Sequence, residues 1–108
     1  MNEEKSTMRV IVKHPHERIG RMKEIPNTLN ALQQTVDGHI ETVYLGSGLV
    51  MVVNEEGKLR GLPVSFKTEY DIIVGTVVIC GQCGDEFADV PINLRTWETV
   101  LRAWGNRL

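Results

Sequence analysis

Three short apolar runs rich in β-branched residues set most of what this chain can fold into. They are Met8-Arg9-Val10-Ile11-Val12-Lys13, Leu49-Val50-Met51-Val52-Val53 and Asp71-Ile72-Ile73-Val74-Gly75-Thr76-Val77-Val78-Ile79-Cys80. Branching at Cβ restricts rotamers in a helix but packs well on a pleated surface, so all three read as strands. Leu49–Val53 is apolar at every position, as expected of a central strand covered on both faces. Asp71–Cys80 is the strongest of the three, and Gly75 inside it predicts a bulge or a close neighbour. None reaches the roughly 18 residues of a membrane span.

The segments between these runs supply turns and two helices. Pro15 breaks the first strand, His14 to Gly20 turns, and Arg21 to Ile25 returns as a short second strand. At Pro26-Asn27-Thr28 a helix opens, because Asn27 or Thr28 can accept from the free amides of a first turn. Leu29, Leu32 and Val36 then form one buried stripe, and Asp37-Gly38 ends the helix. Ile40, Val43 and Leu45 belong to a third strand that turns at Gly46-Ser47-Gly48 into Leu49–Val53. After the turn Asn54-Glu55-Glu56-Gly57, Lys58 to Leu62 is expected as an edge strand closed by Pro63, and Ser65 to Tyr70 as a polar loop. Gly81 to Asp85 reads as a turn and Phe87 to Val90 as a short returning strand. Asn93 caps a last helix carrying Leu94, Trp97, Leu101 and Trp104, with Glu98 and Arg102 paired at i, i+4 and Gly105 at its end.

The expected fold is therefore α+β: a mixed or antiparallel sheet of five to six strands with two helices. Its order is β-hairpin, helix, β-meander and C-terminal helix. A length of 108 residues fits one domain, 1–108, with residues 1–6 as a frayed polar tail. The formal net charge of −2 argues against a general nucleic-acid binder, which draws affinity from a surplus of cations. Trp97 and Trp104 sit on the apolar side of their helix, so they do not offer a stacking platform for bases. The charged opening Met1-Asn2-Glu3-Glu4-Lys5 lacks the apolar stretch of a secretory signal, and the expected compartment is the cytosol.

The segment Gly48-Leu49-Val50-Met51-Val52-Val53-Asn54-Glu55-Glu56-Gly57-Lys58-Leu59-Arg60-Gly61-Leu62-Pro63 resembles domain-of-unknown-function family 3846 of bacteriophages, plasmids and integrative elements. The resemblance rests on an apolar strand, an Asn-Glu-Glu-Gly-Lys-Leu turn and then Gly-Leu-Pro. Asp71-Ile72-Ile73-Val74-Gly75-Thr76 is similar to the family's next strand, and coverage runs roughly from residue 8 to 90. Val64-Ser65-Phe66 and the turn holding Cys80 and Cys83 depart from the family's pattern. What the resemblance implies is a setting, mobile genetic elements in a bacterial host, and no activity.

Several groups carry possible chemistry. Cys80-Gly81-Gln82-Cys83-Gly84 is half of a zinc knuckle, which His14 and His16 would have to complete. The pair also reads as a redox dithiol, or as two incidental thiols in a glycine-rich hairpin. Asn54, Glu55, Lys58 and Arg60 are a dense polar set on one turn, read as a ligand-binding rim in which Lys and Arg suit phosphate. The alternative is an ordinary turn with solvated charges. Trp97, Leu101 and Trp104 form a broad apolar face, core or interface, and because the sheet is not expected to cover all of it a homo-oligomer is expected. Nucleophile-elbow and dinucleotide-fingerprint patterns are both missing around Gly46-Ser47-Gly48. The chain is thus expected to be a non-catalytic accessory protein without a cofactor, binding something in the host cytosol. The leading expectation is sequestration of a small nucleotide-type signal in counter-defence. The alternative is a protein-interaction module that docks on and inhibits a host enzyme or defence protein.

Overall fold

The computed structural model describes residues 7–108, so the expected tail at 1–6 lies outside the described residues. The chain runs β1 (Thr7–Lys13), β2 (Arg21–Pro26), α1 (Leu29–Val36), β3 (Ile40–Gly46), β4 (Leu49–Asn54), β5 (Val64–Lys67), β6 (Ile72–Val74), β7 (Val77–Cys83), β8 (Glu86–Ala88) and α2 (Leu94–Ala103). Six strands form one antiparallel sheet in the order β2-β1-β7-β4-β3, with β8 pairing the far end of β7. The hairpin β5–β6 stands apart as a second, small sheet. This is the α+β fold read from the sequence, but its centre is not a meander. β7 inserts between β1 and β4, where its run of buried residues is covered on both faces.

Alternation along the three central strands builds two cores. Val10, Val12, Val50, Val52, Val78 and Cys80 point to one face and meet Leu32 and Val36 of α1. Ile11, Met51, Val77 and Ile79 point to the other and meet Phe66, Ile73, Trp97 and Leu101. Successive strand residues face opposite sides, so one continuous apolar run serves both cores. The layers are α1, the sheet, and then α2 with the β5–β6 hairpin. Both helix caps read from the sequence are in place: Thr28 Oγ1 accepts from Ala31 N at 3.1 Å, and Asn93 Oδ1 from Thr96 N at 2.8 Å.

Three local expectations are corrected. Lys58 to Leu62 is a series of tight turns, closed by Arg60 N to Glu56 O at 2.9 Å and Leu62 N to Gly57 O at 3.0 Å. The returning strand is instead β5, three of whose four residues fall in the stretch read as a polar loop. Phe66 draws it in: the ring is buried, stacked 6.1 Å from Trp104 and edge-on 5.5 Å from Trp97. Asn106 then holds β5 to the end of α2, bonding Lys67 N at 3.0 Å, Lys67 O at 2.9 Å and Leu101 O at 2.9 Å. The long run Asp71–Cys80 is two strands that belong to different sheets. Gly75 breaks it with φ +78°, and a Cβ there would lie 2.9 Å from Leu62 Cδ1. Finally, β7 continues through Cys83 and pairs with β8 at Glu86–Ala88, one residue earlier than expected.

Candidate functional site: a groove beside the β3 edge

β3 ends the sheet. β4 pairs with one of its sides, and no strand among the described residues pairs with the other. The opposite edge, β2, carries Arg21, Lys23, Glu24 and Pro26, the charges and proline that keep a strand edge from pairing. β3 carries one charge, Glu41, near its start. Beside it lie two adjoining cavities of about 220 Å³ and 360 Å³ that share Val43, Asp71 and Ile73. Together they make a groove between β3 and the β5–β6 hairpin. Val43, Leu45, Met51, Val53 and Ile73 give it an apolar lining. Trp104, half-buried at the end of α2, closes one side.

The rim combines exposed apolar side chains with acid. Leu59 (90% exposed), Tyr70 (91%) and Ile72 border the groove and are three of the six large apolar residues exposed among the described ones; Tyr44, next along β3, pairs with Val50 on the α1 face of the sheet. Glu41, Glu55, Glu69 and Asp71 supply carboxylates against one cation, Lys58. Lys58 Nζ is itself bonded to Asp71 Oδ1. That contact, with the Ile72 amide, holds the Asp71 carboxyl below the usual carboxylate range.

The four residues read as a ligand rim separate into two groups. Glu55 and Lys58 border the groove. Asn54 lies at its wall, but its side chain is buried and committed to the backbone. Nδ2 donates to Val36 O at 3.1 Å and Asp37 O at 3.0 Å, and Oδ1 accepts from Glu56 N at 2.8 Å. Arg60 points to the end of α1, donating to Asp37 O at 2.8 Å and Asp37 Oδ2 at 3.2 Å. Asn54 and Arg60 thus satisfy carbonyls that a helix end leaves free. Gly38 makes room for them, since a Cβ there would sit 2.6 Å from Asn54 Nδ2.

The thiols do not converge. Cys80 is fully buried against the α1 core and Cys83 is exposed, because residues three apart on one strand face opposite sides. Burial pushes the Cys80 thiol up to about 12. His14 and His16 stack on each other at 5.6 Å, and His14 Nδ1 pairs with Thr76 Oγ1 at 2.8 Å. Among the described residues no group of three or more His, Cys, Asp or Glu could hold a metal ion. The proposed interface is corrected too. Trp97 and Leu101 have no exposed surface in the chain itself, so they are core, and Trp97 Nε1 donates to Ile19 O at 3.0 Å. Only Trp104 of that set retains surface.

One buried charge had no sequence signal. Lys13 ends β1 at 2% exposure, donates to Ser65 O at 2.8 Å and lies 5.8 Å from the Phe66 ring centre. Desolvation lowers its pKa, partly opposed by Glu17. It fastens β5 to the sheet and lines neither cavity of the groove.

Residues 8–101 match the family described as Domain of unknown function (DUF3846). The chain belongs to that family. The match runs from β1 into the last turn of α2, so the DUF3846 domain takes in all three layers and the groove except Trp104. It extends past residue 90, where the resemblance read from the sequence stopped. In this DUF3846 chain the Asn54–Pro63 segment carrying that resemblance both caps α1 and walls the groove. No curated protein and no solved structure matches the chain. Among the described residues no helix is long and apolar enough to cross a membrane.

Proposed function

We propose that this DUF3846 chain is a non-catalytic docking protein that takes up part of another protein in the groove between β3 and the β5–β6 hairpin. The observation that carries this is the gathering of Leu59, Tyr70 and Ile72 around one apolar groove. Exposed apolar side chains scattered singly need no explanation, but a contiguous set marks an interaction surface, and tyrosine is favoured at such surfaces. Sequestration of a nucleotide is the weaker reading. Lys58 and Arg60, its phosphate contacts, are engaged by Asp71 and Asp37, and the acidic rim repels a phosphate. The mobile-element setting implied by the resemblance makes the partner a host protein in the cytosol, bound to block it.

The test is capture from bacterial extract on immobilised protein, followed by mass spectrometry. Leu59→Asp with Tyr70→Asp is expected to lose the captured protein, while Leu29→Asp, an exposed apolar site on α1, keeps it. All variants should melt like the parent, since the replaced side chains are exposed. Equal capture by the groove variant and the parent refutes the reading. A co-purified mass of a few hundred daltons that survives Leu59→Asp and Tyr70→Asp but not Lys58→Ala would restore sequestration.

A further inference from the structure

We infer that the segment taken up is an extended, basic strand that pairs with the free edge of β3; this rests on the docking reading and names its partner's chemistry. On its outer side β3 offers seven residues of backbone that no strand among the described residues pairs; it bears one charge, Glu41, against three charges and a proline on β2, and its ladder to β4 shifts only between Tyr44 and Gly46. An edge with so few charges is a template for another strand, and strand addition is a recurrent mode of peptide capture.

Charge and alternation then specify the added strand. Glu41, Val43 and Leu45 share the groove-facing side of β3. Glu55 and Asp71 line the cavity at the Glu41 end, with Lys58 already bound to Asp71, so this end carries uncompensated negative charge. A partner strand therefore places Lys or Arg beside Glu41, and apolar residues two and four positions away beside Val43 and Leu45. For an antiparallel strand, the better-bonded orientation, the order is apolar-x-apolar-x-Arg. The same charge argument disfavours a second copy, because an antiparallel β3–β3 pair sets Glu41 opposite the apolar Leu45 end and supplies no cation to either acidic end.

The probe is the peptide acetyl-Thr-Val-Thr-Val-Thr-Arg-Thr-amide titrated into the isotope-labelled full chain, read by backbone amide resonances. Shifts are expected along residues 40–46, with affinity falling at least tenfold when Arg is replaced by Glu. Glu41→Arg should reverse that preference. Peptide N-methylated on the β3-facing amides should not bind. Equal affinity for the Arg and Glu peptides, or shifts confined to Tyr70 and Ile72 with β3 unmoved, overturns strand pairing while leaving groove docking in place. β3 amides that move with the protein's own concentration assign the edge to a second copy and overturn the inference as well. Loss of the docking reading looks different: the captured host protein then ignores Leu59→Asp and Tyr70→Asp.

Discussion

Asn54→Ala distinguishes a structural fastener from a ligand contact. The side chain is 5% exposed and makes three hydrogen bonds, to Val36 O at 3.1 Å, Asp37 O at 3.0 Å and from Glu56 N at 2.8 Å. Each is worth about 1 kcal/mol net, with more lost where a buried partner is orphaned. Asp37 O retains its bond from Arg60 Nη1 at 2.8 Å, so part of the loss is absorbed. The expected cost is about 2–3 kcal/mol, a large share of the roughly 5–15 kcal/mol of an ordinary domain. At about 4–8 °C per kcal/mol, that lowers Tm by roughly 10 °C or more. Arg60→Ala, at an exposed pair, should cost about 1 kcal/mol or less. Because both side chains serve Asp37 O, the double variant should lose more than the two single costs together. Urea unfolding followed by tryptophan fluorescence measures all three. A cost below about 0.5 kcal/mol for Asn54→Ala, the size of a typical surface change, would refute this account of the α1 cap.

Three further outcomes are expected. Burial depresses the Lys13 pKa, so between its folded and unfolded values the unfolded chain holds more protons and stability rises with pH; below that window the cost is fully present. Lys13→Met should flatten the rise in urea midpoint as pH approaches the ordinary lysine value of about 10.4, and parallel profiles would contradict it. Trp97→Ala should cost about 3–5 kcal/mol and the half-buried Trp104→Ala about 1–2 kcal/mol, so the reverse ranking in denaturant unfolding would place the core wrongly. Cys83 should react with a thiol reagent in the native protein and Cys80 only after denaturation, with EDTA leaving the melting temperature unchanged. Two fast-reacting thiols would show that Cys80 is not sealed under α1.

The sequence carried the elements better than their arrangement. β1, β4 and both helix caps were legible because each depends on a few neighbouring residues: a β-branched run, or Thr28 and Asn93 one step before an apolar stripe. β5 was hidden because a single Phe66 in a polar stretch became strand only through Trp97 and Trp104 on a distant helix. Gly75 marks a bulge or close neighbour in the sequence, but a change of sheet within one apolar run depends on Leu62 lying against it. The site divides in the same way. Glu55 and Lys58 stood out as polar residues on a turn, whereas the committed roles of Asn54 and Arg60 need Asp37 brought alongside. The apolar rim could not be read at all, since Leu59 lies in a different segment from Tyr70 and Ile72 and meets them only in the folded chain.

The place of β7 also fixes the order in which this fold can be completed. β1–β2 and β3–β4 are local hairpins, but each keeps an open side until residues 77–83 arrive to join them. A chain still emerging from the ribosome would carry two unsealed ladders from the completion of β4 at Asn54 until β7 is made. Closing them requires bringing Ile11 and Met51 to the same residue, Ile79, across long spans of chain, the kind of non-local step that slows folding. Truncation before β7 should therefore yield aggregation-prone hairpins, and folding should commit only once the last third of the sequence is available.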